Sequence, residues 1–257
     1  MKAHDRLPLA TLAVVPVYNH EHAVGSVVDG ILAAGLPCLL VDDGSTPDCA
    51  RALDELVKRR APQVTLVRLT ENLGKGGAVV AGMREASRLG YSHVLQIDAD
   101  GQHDTADIPH FLEHSQAQPD AVICGCPQYD DSVPRGRLYG RYATHIWVWI
   151  NTLSLDIRDS MCGFRIYPLP STMALIDSAS LGSRMDFDTE IMVRLHWRGL
   201  RVVNVTTRVR YPSDGISHFR MGWDNLLISR MHAALFFGML LRAPRLLWRR
   251  LRTRGPQ

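Results

Sequence analysis

Short apolar runs alternate with stretches of helical periodicity over residues 11–125. Between the apolar runs, hydrophobic residues recur at the three-and-four spacing of a helix that is buried on one face. Strands that alternate with helices of ordinary length form a parallel sheet with crossover helices. We therefore predict an α/β fold with a Rossmann-like, mostly parallel sheet and helices on both faces. The predicted strands are Thr11–Val15, Cys38–Val41, Val64–Leu69, Val94–Ile97 and Ala121–Cys124.

Two carboxylates one residue apart follow the fourth predicted strand. Asp98 and Asp100 are separated by an alanine, and Gln102 offers a further oxygen two residues on. Alternate residues of an extended chain point to the same side, so both carboxylates can face one hard cation, Mg²⁺ or Mn²⁺. Such a cation keeps water ligands and takes others from substrate phosphates. The alternative is a surface turn, because Asp-x-Asp-Gly is also good turn sequence.

Polar residues follow the other predicted strands as well. The first strand opens into residues 17–21, the second stops at Asp42 and Asp43, and a glycine-rich stretch with Lys75 follows the third. In open α/β sheets, ligands bind outside the carboxyl ends of the strands. Four loops are therefore predicted to form one polar site at one edge of the sheet.

Composition excludes several classes of protein. The 257 residues are 46% hydrophobic and 21% charged, which is typical of a globular chain with one large domain, or one domain and an appendage. Five cysteines without a Cys-x-x-Cys pair argue against a disulfide framework or zinc site. Residues 1–8 do not resemble a secretory signal, so we expect a cytoplasmic chain. No Gly-x-Gly-x-x-Gly follows the first strand, which argues against a dinucleotide oxidoreductase.

The carboxyl-terminal segment carries most of the positive charge. Residues 225–257 hold seven arginines and no acid or lysine, and removing those charges from the net +3 leaves −4 for the rest. We predict an apolar helix over Leu226–Leu241, an interruption at Pro244, and a basic amphipathic stretch over Arg245–Arg252. The apolar part is short for a transmembrane helix, which needs about 20 residues.

This composition predicts an anchor at the surface of an anionic membrane. The alternative is a helix that packs on the preceding domain and exposes a basic end. Leucines and a tryptophan argue against nucleic acid as the partner of the arginines. We divide the chain into a catalytic domain over residues 1–222 and a helical tail over residues 223–257.

Taken together, the loops resemble the family 2 glycosyltransferases of the GT-A fold. The resemblance is to the branch of dolichyl-phosphate mannosyltransferase and the bacterial polyprenyl-phosphate glycosyltransferases, and it covers residues 9–222. Two later segments also look like acceptor-side and closing-loop motifs of that branch, Asp159–Arg165 and Gly215–Arg220. The ordered motifs are Val15–Asn19, Val41–Thr46, Asn72–Val79 and Asp98–His103.

The resemblance implies an inverting, metal-dependent transfer of a sugar from a UDP- or GDP-linked donor. It implies Asp98, Asp100 and Gln102 as ligands of a Mg²⁺ or Mn²⁺ ion that bridges the diphosphate. Two positions depart from the family pattern, because His20 stands where glutamate is usual and His218 where lysine is usual. The implied contacts to the nucleotide-sugar are Pro16, Tyr18, Glu21, Asp42, Asp43, Lys75, Asp98, Arg210 and His218, with Arg220 beside them.

The acceptor decides which further residues are needed. A lipid phosphate is already anionic and needs cations to place it for attack, and the candidates are Arg135, Arg137, Arg141 and Arg165. A hydroxyl acceptor needs a general base, for which Asp188 or Glu190 is the candidate. We expect a membrane-associated acceptor and a peripheral location at the inner face of the cytoplasmic membrane. A nucleotidyltransferase, or a non-catalytic module that binds a nucleotide-sugar or membrane, is the alternative.

Overall fold

The structure, a computed structural model, describes residues 9–128, 135–209 and 221–253. Its strands are β1 (Thr11–Val17), β2 (Cys38–Asp42), β3 (Val64–Arg68), β4 (His93–Gln96), β5 (Val122–Gln128), β6 (Arg165–Pro168) and β7 (Val202–Arg208). Its helices are α1 (Val24–Ala33), α2 (Pro47–Arg60), α3 (Lys75–Arg88), α4 (Ile108–Ala117), α5 (Arg135–Thr152), α6 (Leu169–Ile176), α7 (Phe187–Trp197) and α8 (Met221–Thr253).

The strands of the described residues form one sheet in the order β3-β2-β1-β4-β6-β5-β7. Neighbouring strands are parallel except where β6 pairs with β4 and β5. The predicted α/β fold with a mostly parallel sheet is thus confirmed. In the antiparallel pair, Arg165 lies opposite Gln96 and Pro168 lies opposite His93. The chain therefore leaves β6 at the edge of the sheet where the parallel strands begin.

The inner strands β1, β2, β4 and β6 are buried on both faces, which explains their largely apolar sequences. In β1, Leu12 and Val14 join a core with residues of α3, α6, α7 and α8. Their neighbours Ala13 and Val15 join a second core with residues of α1, α2 and α4. Successive side chains of a strand point to opposite faces, so one apolar run supplies both cores.

Local sequence sets the bounds of α2. The Thr46 hydroxyl accepts a hydrogen bond from the Cys49 backbone N–H, and Pro47 occupies the first turn. Asp48 lies near the start, and Lys58 is among the basic residues of the last turn. These charges complement the helix dipole at both ends. The helix accordingly begins at Pro47, directly after its cap.

Helix α8 corrects one prediction. We expected Pro244 to interrupt the tail, but α8 is a single helix of 33 residues that contains it. A proline inside a helix loses one backbone hydrogen bond and crowds the preceding turn, at a cost of about 3 kcal/mol. Met239 and Leu246, on either side of Pro244, are both buried. Packing on both sides of the proline holds the helix in one piece.

Helix α8 packs on the preceding part of the chain along one side only. Met231, Leu235, Met239 and Leu246 are buried, and contacts are made with α5 and α7. By length and composition alone, Gly222–Arg252 is long and apolar enough to cross a membrane, with a mean hydropathy of 1.4 in its most apolar window. Only 22% of that window is buried. The core helix of a soluble protein is mostly buried. Helix α8 differs from such a helix, because most of its apolar window is exposed.

Candidate functional site

The carboxyl ends of β1, β2 and β4 meet at one edge of the sheet, as predicted. Val17 accepts a hydrogen bond from the Asp43 backbone N–H at 2.9 Å, which joins the loops after β1 and β2. The Asn19 side chain accepts a hydrogen bond from the Thr46 backbone N–H at 2.8 Å. Asp98 follows β4 at the same edge. Pro16, Tyr18 and Glu21 are half-buried there.

Lys75 lies at the centre of a group of acidic side chains. Its Nζ atom is 2.8 Å from Asp98 Oδ1 and 2.8 Å from Asp188 Oδ2. Burial opposes the charged form of Lys75, but Asp188 and then Asp98 outweigh it and raise the pKa well above the ordinary value. Burial likewise opposes ionisation of Asp98, but Lys75 and His103 lower its pKa below the ordinary value. Lys75 and Asp98 are therefore both charged near neutral pH.

Backbone geometry places Lys75 in this position. Gly74 precedes α3 with φ of 86°, a left-handed conformation that favours glycine. Lys75 follows as the first residue of α3. A Cβ atom at Gly76 would overlap the Phe187 side chain, so the starts of α3 and α7 pack in direct contact. That contact brings Lys75 to Asp188, one residue further along α7.

Asp188 is held from several sides. Gln96 Nε2 donates a hydrogen bond to Asp188 Oδ1 at 3.0 Å, and Arg165 Nη1 lies 3.8 Å from the same oxygen. Arg165 also donates to the Asp188 backbone carbonyl at 2.7 Å and to the Ser160 carbonyl at 2.7 Å. Both carboxylate oxygens of Asp188 therefore have partners.

Arg165 requires a correction. We expected it to contact the acceptor, but its side chain is fully buried. Its Nη1 atom also donates to the Tyr167 hydroxyl at 3.0 Å. A guanidinium enclosed by protein groups cannot reach a bound phosphate, because the surrounding loop and strand cover it. Arg165 instead holds Asp188 in position through its backbone carbonyl and its carboxylate.

Asp100 lies close to Asp98 and is half-buried. Its Oδ1 atom accepts a hydrogen bond from the Gln102 backbone N–H at 3.0 Å. Burial and the negative charge of Asp98 raise the pKa of the Asp100 carboxyl above its ordinary value. A bound cation would stabilise the ionised forms of Asp98 and Asp100 together, because it offsets the repulsion between them. Among the described residues, the ion pairs of this group involve Asp98 and Asp188 and not Asp100.

The donors around Asp100 fit a cation that shares its ligands with a substrate. Across residues 9–128, 135–209 and 221–253, no group of three or more His, Cys, Asp or Glu side chains is arranged to hold a metal ion. Mg²⁺ is commonly bound through one or two carboxylates together with water and substrate phosphates. Asp100, with Asp98 and the half-buried Gln102 nearby, matches that kind of site.

Asp42 and Asp43 use their carboxylates within the protein. Asp43 accepts hydrogen bonds from the backbone N–H groups of Leu73 and Gly74 at 2.7 and 2.9 Å. Asp42 is bound by Arg68 Nε at 2.8 Å. Both side chains are buried, and burial raises the pKa of Asp43. Asp43 ties the loop before α3 to the end of β2, and Asp42 ties β2 to β3. Their predicted contact with base or ribose remains a prediction.

Of the two predicted bases, the structure brings only Asp188 into the cluster. Residues two apart on a helix point in nearly opposite directions, because each adds about 100°. Glu190 accordingly accepts a hydrogen bond from the Gly182 backbone N–H at 2.6 Å and pairs with Arg194 Nη2 at 2.6 Å. It anchors the loop before α7 and lies away from Lys75.

The remaining predicted arginines are placed as follows. Arg141 on α5 binds the Asp159 carboxylate in a bidentate pair, Nε to Oδ2 at 2.8 Å and Nη2 to Oδ1 at 2.8 Å. Arg135 and Arg137 precede it on α5, but their side chains lie outside the described part of the chain. Arg210, His218 and Arg220 also lie outside the described residues.

Three contributors to this site had no predicted role. Gln96 binds Asp188, and its signal in the sequence is a polar residue that ends an apolar strand. His103 Nε2 lies 3.8 Å from Asp98 Oδ2. A Cβ atom at Gly163 would overlap the Asp98 carboxylate, so the loop over residues 159–163 packs directly on that side chain.

The chain is similar in sequence to known proteins. The family model described as Glycosyl transferase family 2 matches residues 12–182. The chain is 28% identical to the polyprenol monophosphomannose synthase of Mycolicibacterium smegmatis over 232 residues, which are 84% of this chain and 82% of that protein. It is 27% identical to the undecaprenyl-phosphate mannosyltransferase of Micrococcus luteus over 208 residues, 77% of this chain and 82% of that protein.

A solved structure shares the fold. Glucosyl-3-phosphoglycerate synthase from Mycobacterium tuberculosis, crystallised with Mn²⁺ and UDP-glucose, superposes with a TM-score of 0.66 at 17% sequence identity. The match covers 90% of this chain and 79% of that one. At this identity the likeness concerns the fold.

Proposed function

The chain belongs to glycosyl transferase family 2, and on that premise we propose that this glycosyltransferase moves a sugar from a UDP- or GDP-linked donor to a polyprenyl phosphate. The transfer proceeds with inversion at the anomeric carbon. The names of two relatives support the lipid acceptor. One is a polyprenol monophosphomannose synthase, and the other is an undecaprenyl-phosphate mannosyltransferase.

One observation carries the proposal: Lys75 lies between Asp98 and Asp188, beside Asp100, at the carboxyl edge of the sheet. A nucleoside diphosphate gains negative charge as its bond to the sugar breaks. Lys75 is held charged by its two carboxylate partners and is aimed at this edge, so it stabilises that charge. Asp98 fixes the position of the ammonium group.

Asp100 is our choice for the direct metal ligand, with Asp98 and Gln102 beside it. A bound Mg²⁺ or Mn²⁺ supplies Lewis-acid stabilisation of the diphosphate. The raised pKa of Asp100 and the proximity of Asp98 support this assignment, because a divalent cation relieves the repulsion between the two carboxylates. Mn²⁺ in the fold relative supports the use of a divalent ion.

The surroundings of Asp188 favour a phosphate acceptor over a hydroxyl. A general base needs an accessible oxygen within hydrogen-bond reach of the proton that it removes. Both oxygens of Asp188 already have partners, Gln96 on one and Lys75 on the other. A lipid phosphate is anionic before it binds and needs no such base. Asp188 then orients Lys75 and does not remove a proton.

The acceptor approaches along α5 and α8. Arg141 lies on α5 with its guanidinium bound to Asp159, and Arg135 and Arg137 share that helix. Beyond Arg141, Ile146 and Trp147 are exposed, and Trp147 contacts Phe236 of α8 with ring centroids 6.3 Å apart. The exposed apolar side chains of α5 and α8 suit the hydrocarbon chain of a lipid phosphate, and the arginines of α5 are the predicted contacts of its headgroup.

We place the protein at the inner face of the cytoplasmic membrane as a peripheral protein. Phe237 and Leu241 of α8 are 66% and 85% exposed, and Trp248 is also exposed. Arg249 Nη2 donates to the His196 carbonyl at 2.7 Å, and Arg250 Nη1 to the Leu153 carbonyl at 3.0 Å. Helix α8 is hydrogen-bonded to the rest of the protein near its carboxyl end and packs on it along its middle. These contacts support a helix that lies on a membrane over one that crosses it.

The test is a donor and acceptor panel. Purified protein is mixed with UDP- and GDP-sugars, Mg²⁺ or Mn²⁺, and either a polyprenyl phosphate or the matching polyprenol. We expect release of nucleoside diphosphate with the phosphate acceptor and none with the alcohol. Release with the alcohol alone contradicts the phosphate assignment. Pyrophosphate as the product would instead indicate nucleotidyl transfer, and donor binding without any turnover would indicate a binding module.

A further inference from the structure

A cavity lined by arginines lies away from the acidic cluster. It has a volume of about 620 Å³ and lies between α6, α7 and α8. Trp197, the last residue of α7, lines the cavity. Asp188 lies nine residues earlier on the same helix, a distance of roughly 13 Å at about 1.5 Å per residue. Helix α6 starts directly after Pro168, which pairs with the first residue of β4. The cavity therefore lies toward the edge of the sheet opposite the catalytic loops.

Four guanidinium groups line the cavity, from Arg194, Arg198, Arg242 and Arg245. Glu190 neutralises one of them, since its Oε1 atom is 2.6 Å from Arg194 Nη2. For the other three, no Asp or Glu oxygen lies within salt-bridge distance in the described part of the chain. Three positive charges without an acidic partner around one cavity favour the binding of an anion.

The arginines are held in place by neutral groups. Arg198 donates a hydrogen bond to the Ser178 hydroxyl. Arg242 donates to the Gly238 carbonyl at 2.9 Å, and its guanidinium carbon is 4.8 Å from the centre of the Trp197 ring. These contacts use part of each planar donor set and leave other N–H groups for a ligand. Arginine forks match the oxygens of a phosphate group in bidentate geometry.

The neighbouring surface indicates where such a phosphate comes from. Leu241, adjacent in sequence to Arg242, is the most exposed of the large apolar residues of α8, and Leu240 is exposed beside it. The cavity wall is itself partly apolar, with Leu175 and Leu200. An anion that carries acyl chains would place its phosphate among the arginines and its chains on α8.

We propose that this cavity binds a phosphate group, and that the phosphate belongs to an anionic phospholipid of the membrane on which α8 lies. The site is separate from that of the acceptor phosphate, because it opens at the other end of α7. Its occupation fixes the orientation of the domain on the membrane. A free phosphate ion shares the same chemistry and is distinguished by experiment.

The test compares three variants of the full-length protein: Arg198→Gln, Arg245→Gln and Arg230→Gln. The first two change opposite walls of the cavity, one on α7 and one on α8. Arg230 is an exposed arginine on α8 that does not line the cavity, so its variant removes the same charge and controls for general attraction to anionic lipid. Binding is measured by flotation with vesicles of phosphatidylglycerol and phosphatidylcholine, and by calorimetry with inorganic phosphate.

We expect each cavity variant to bind phosphatidylglycerol vesicles about tenfold more weakly than Arg230→Gln does, with unchanged circular dichroism. Binding of inorganic phosphate that is lost in both cavity variants also supports the site, and identifies free phosphate as a ligand. The proposal is overturned if all three variants bind the vesicles equally weakly and the two cavity variants bind inorganic phosphate as well as Arg230→Gln does. Loss of folding in Arg198→Gln leaves Arg245→Gln, which changes an exposed side chain, to decide the outcome.

Discussion

The ammonium group of Lys75 lies 2.8 Å from the carboxylate of Asp188, although the two residues belong to different helices. The starts of α3 and α7 meet at this pair, which sets the position of a cation at the carboxyl edge of the sheet. Gln96 holds the other oxygen of the same carboxylate at 3.0 Å. Asp188 therefore holds the ammonium group of Lys75 in position.

Replacement of Lys75 removes the cation of this cluster. We expect Lys75→Gln to lower kcat by roughly 10²-fold, the size of effect seen when one preorganised group that stabilises developing charge is lost. The variant also removes one ion-pair partner from each of Asp98 and Asp188, so the thermal midpoint falls. Lys58→Gln, an exposed change on α2, is the control. Equal activity of the two variants would exclude Lys75 from stabilising the leaving group.

Asp100→Asn tests the metal assignment. Loss of one ligand charge weakens the binding of a divalent cation together with the donor, so we expect roughly a 10²-fold drop in turnover and a shift of the Mn²⁺ titration to higher concentration. Asp104→Asn is a matched control, since Asp104 caps the following turn through a side-chain oxygen that asparagine retains. An unchanged Mn²⁺ titration in Asp100→Asn would assign the metal elsewhere.

Gly163→Ala tests the packing of the loop on Asp98. An added Cβ would overlap the Asp98 carboxylate, so either the loop or the carboxylate must move. We expect a loss of about 1–3 kcal/mol in the free energy of unfolding and weaker donor binding. The control is Gly25→Ala on α1, where an added Cβ has nothing within 4 Å. Donor affinity equal in the two variants would show that the loop accommodates the methyl group without moving Asp98.

Asp156 provides a test of pH dependence away from the site. A hydrogen bond from His196 at 3.0 Å lowers the pKa of Asp156 from 3.8 to about 2. A lowered pKa in the folded state gives stability that is present above the unfolded pKa and is lost as pH falls through the folded value. The stability difference between wild type and Asp156→Asn should therefore shrink from pH 4 toward pH 2. Denaturant unfolding at several pH values measures it, and a constant difference would contradict the assignment.

The outer face of α8 is tested with apolar-to-polar changes. Phe237 and Leu241 lose contact with acyl chains when replaced by serine, and burial of one such side chain is worth about 1.5–3 kcal/mol. We expect Phe237→Ser/Leu241→Ser to reduce vesicle binding by at least about tenfold with the fold intact. Leu89→Ser, which changes an exposed leucine beyond the end of α3, serves as the control. Unchanged flotation of the double variant would refute the membrane-bound face.

Much of the fold could be predicted because the evidence for it is local. The spacing of apolar residues predicted the strands and helices over residues 11–125, and polar residues at the strand ends predicted the edge that carries the site. The placement of single side chains was harder to predict. Arg165 carries a charge that is rarely buried, but antiparallel pairing with β4 buries it. Pro244 has a local preference to end a helix, which packing on the domain overrides.

The sequence by itself determined the order of the elements, the acidic loop after β4 and the resemblance to family 2, since each of these is written in residues close together along the chain. Only the tertiary structure decided that Lys75 pairs with Asp188, that Glu190 anchors a loop instead, and that the arginines of α7 and α8 share a cavity. These contacts join segments far apart in the sequence. Their partners follow from how helices pack on the two faces of the sheet, which no local pattern specifies.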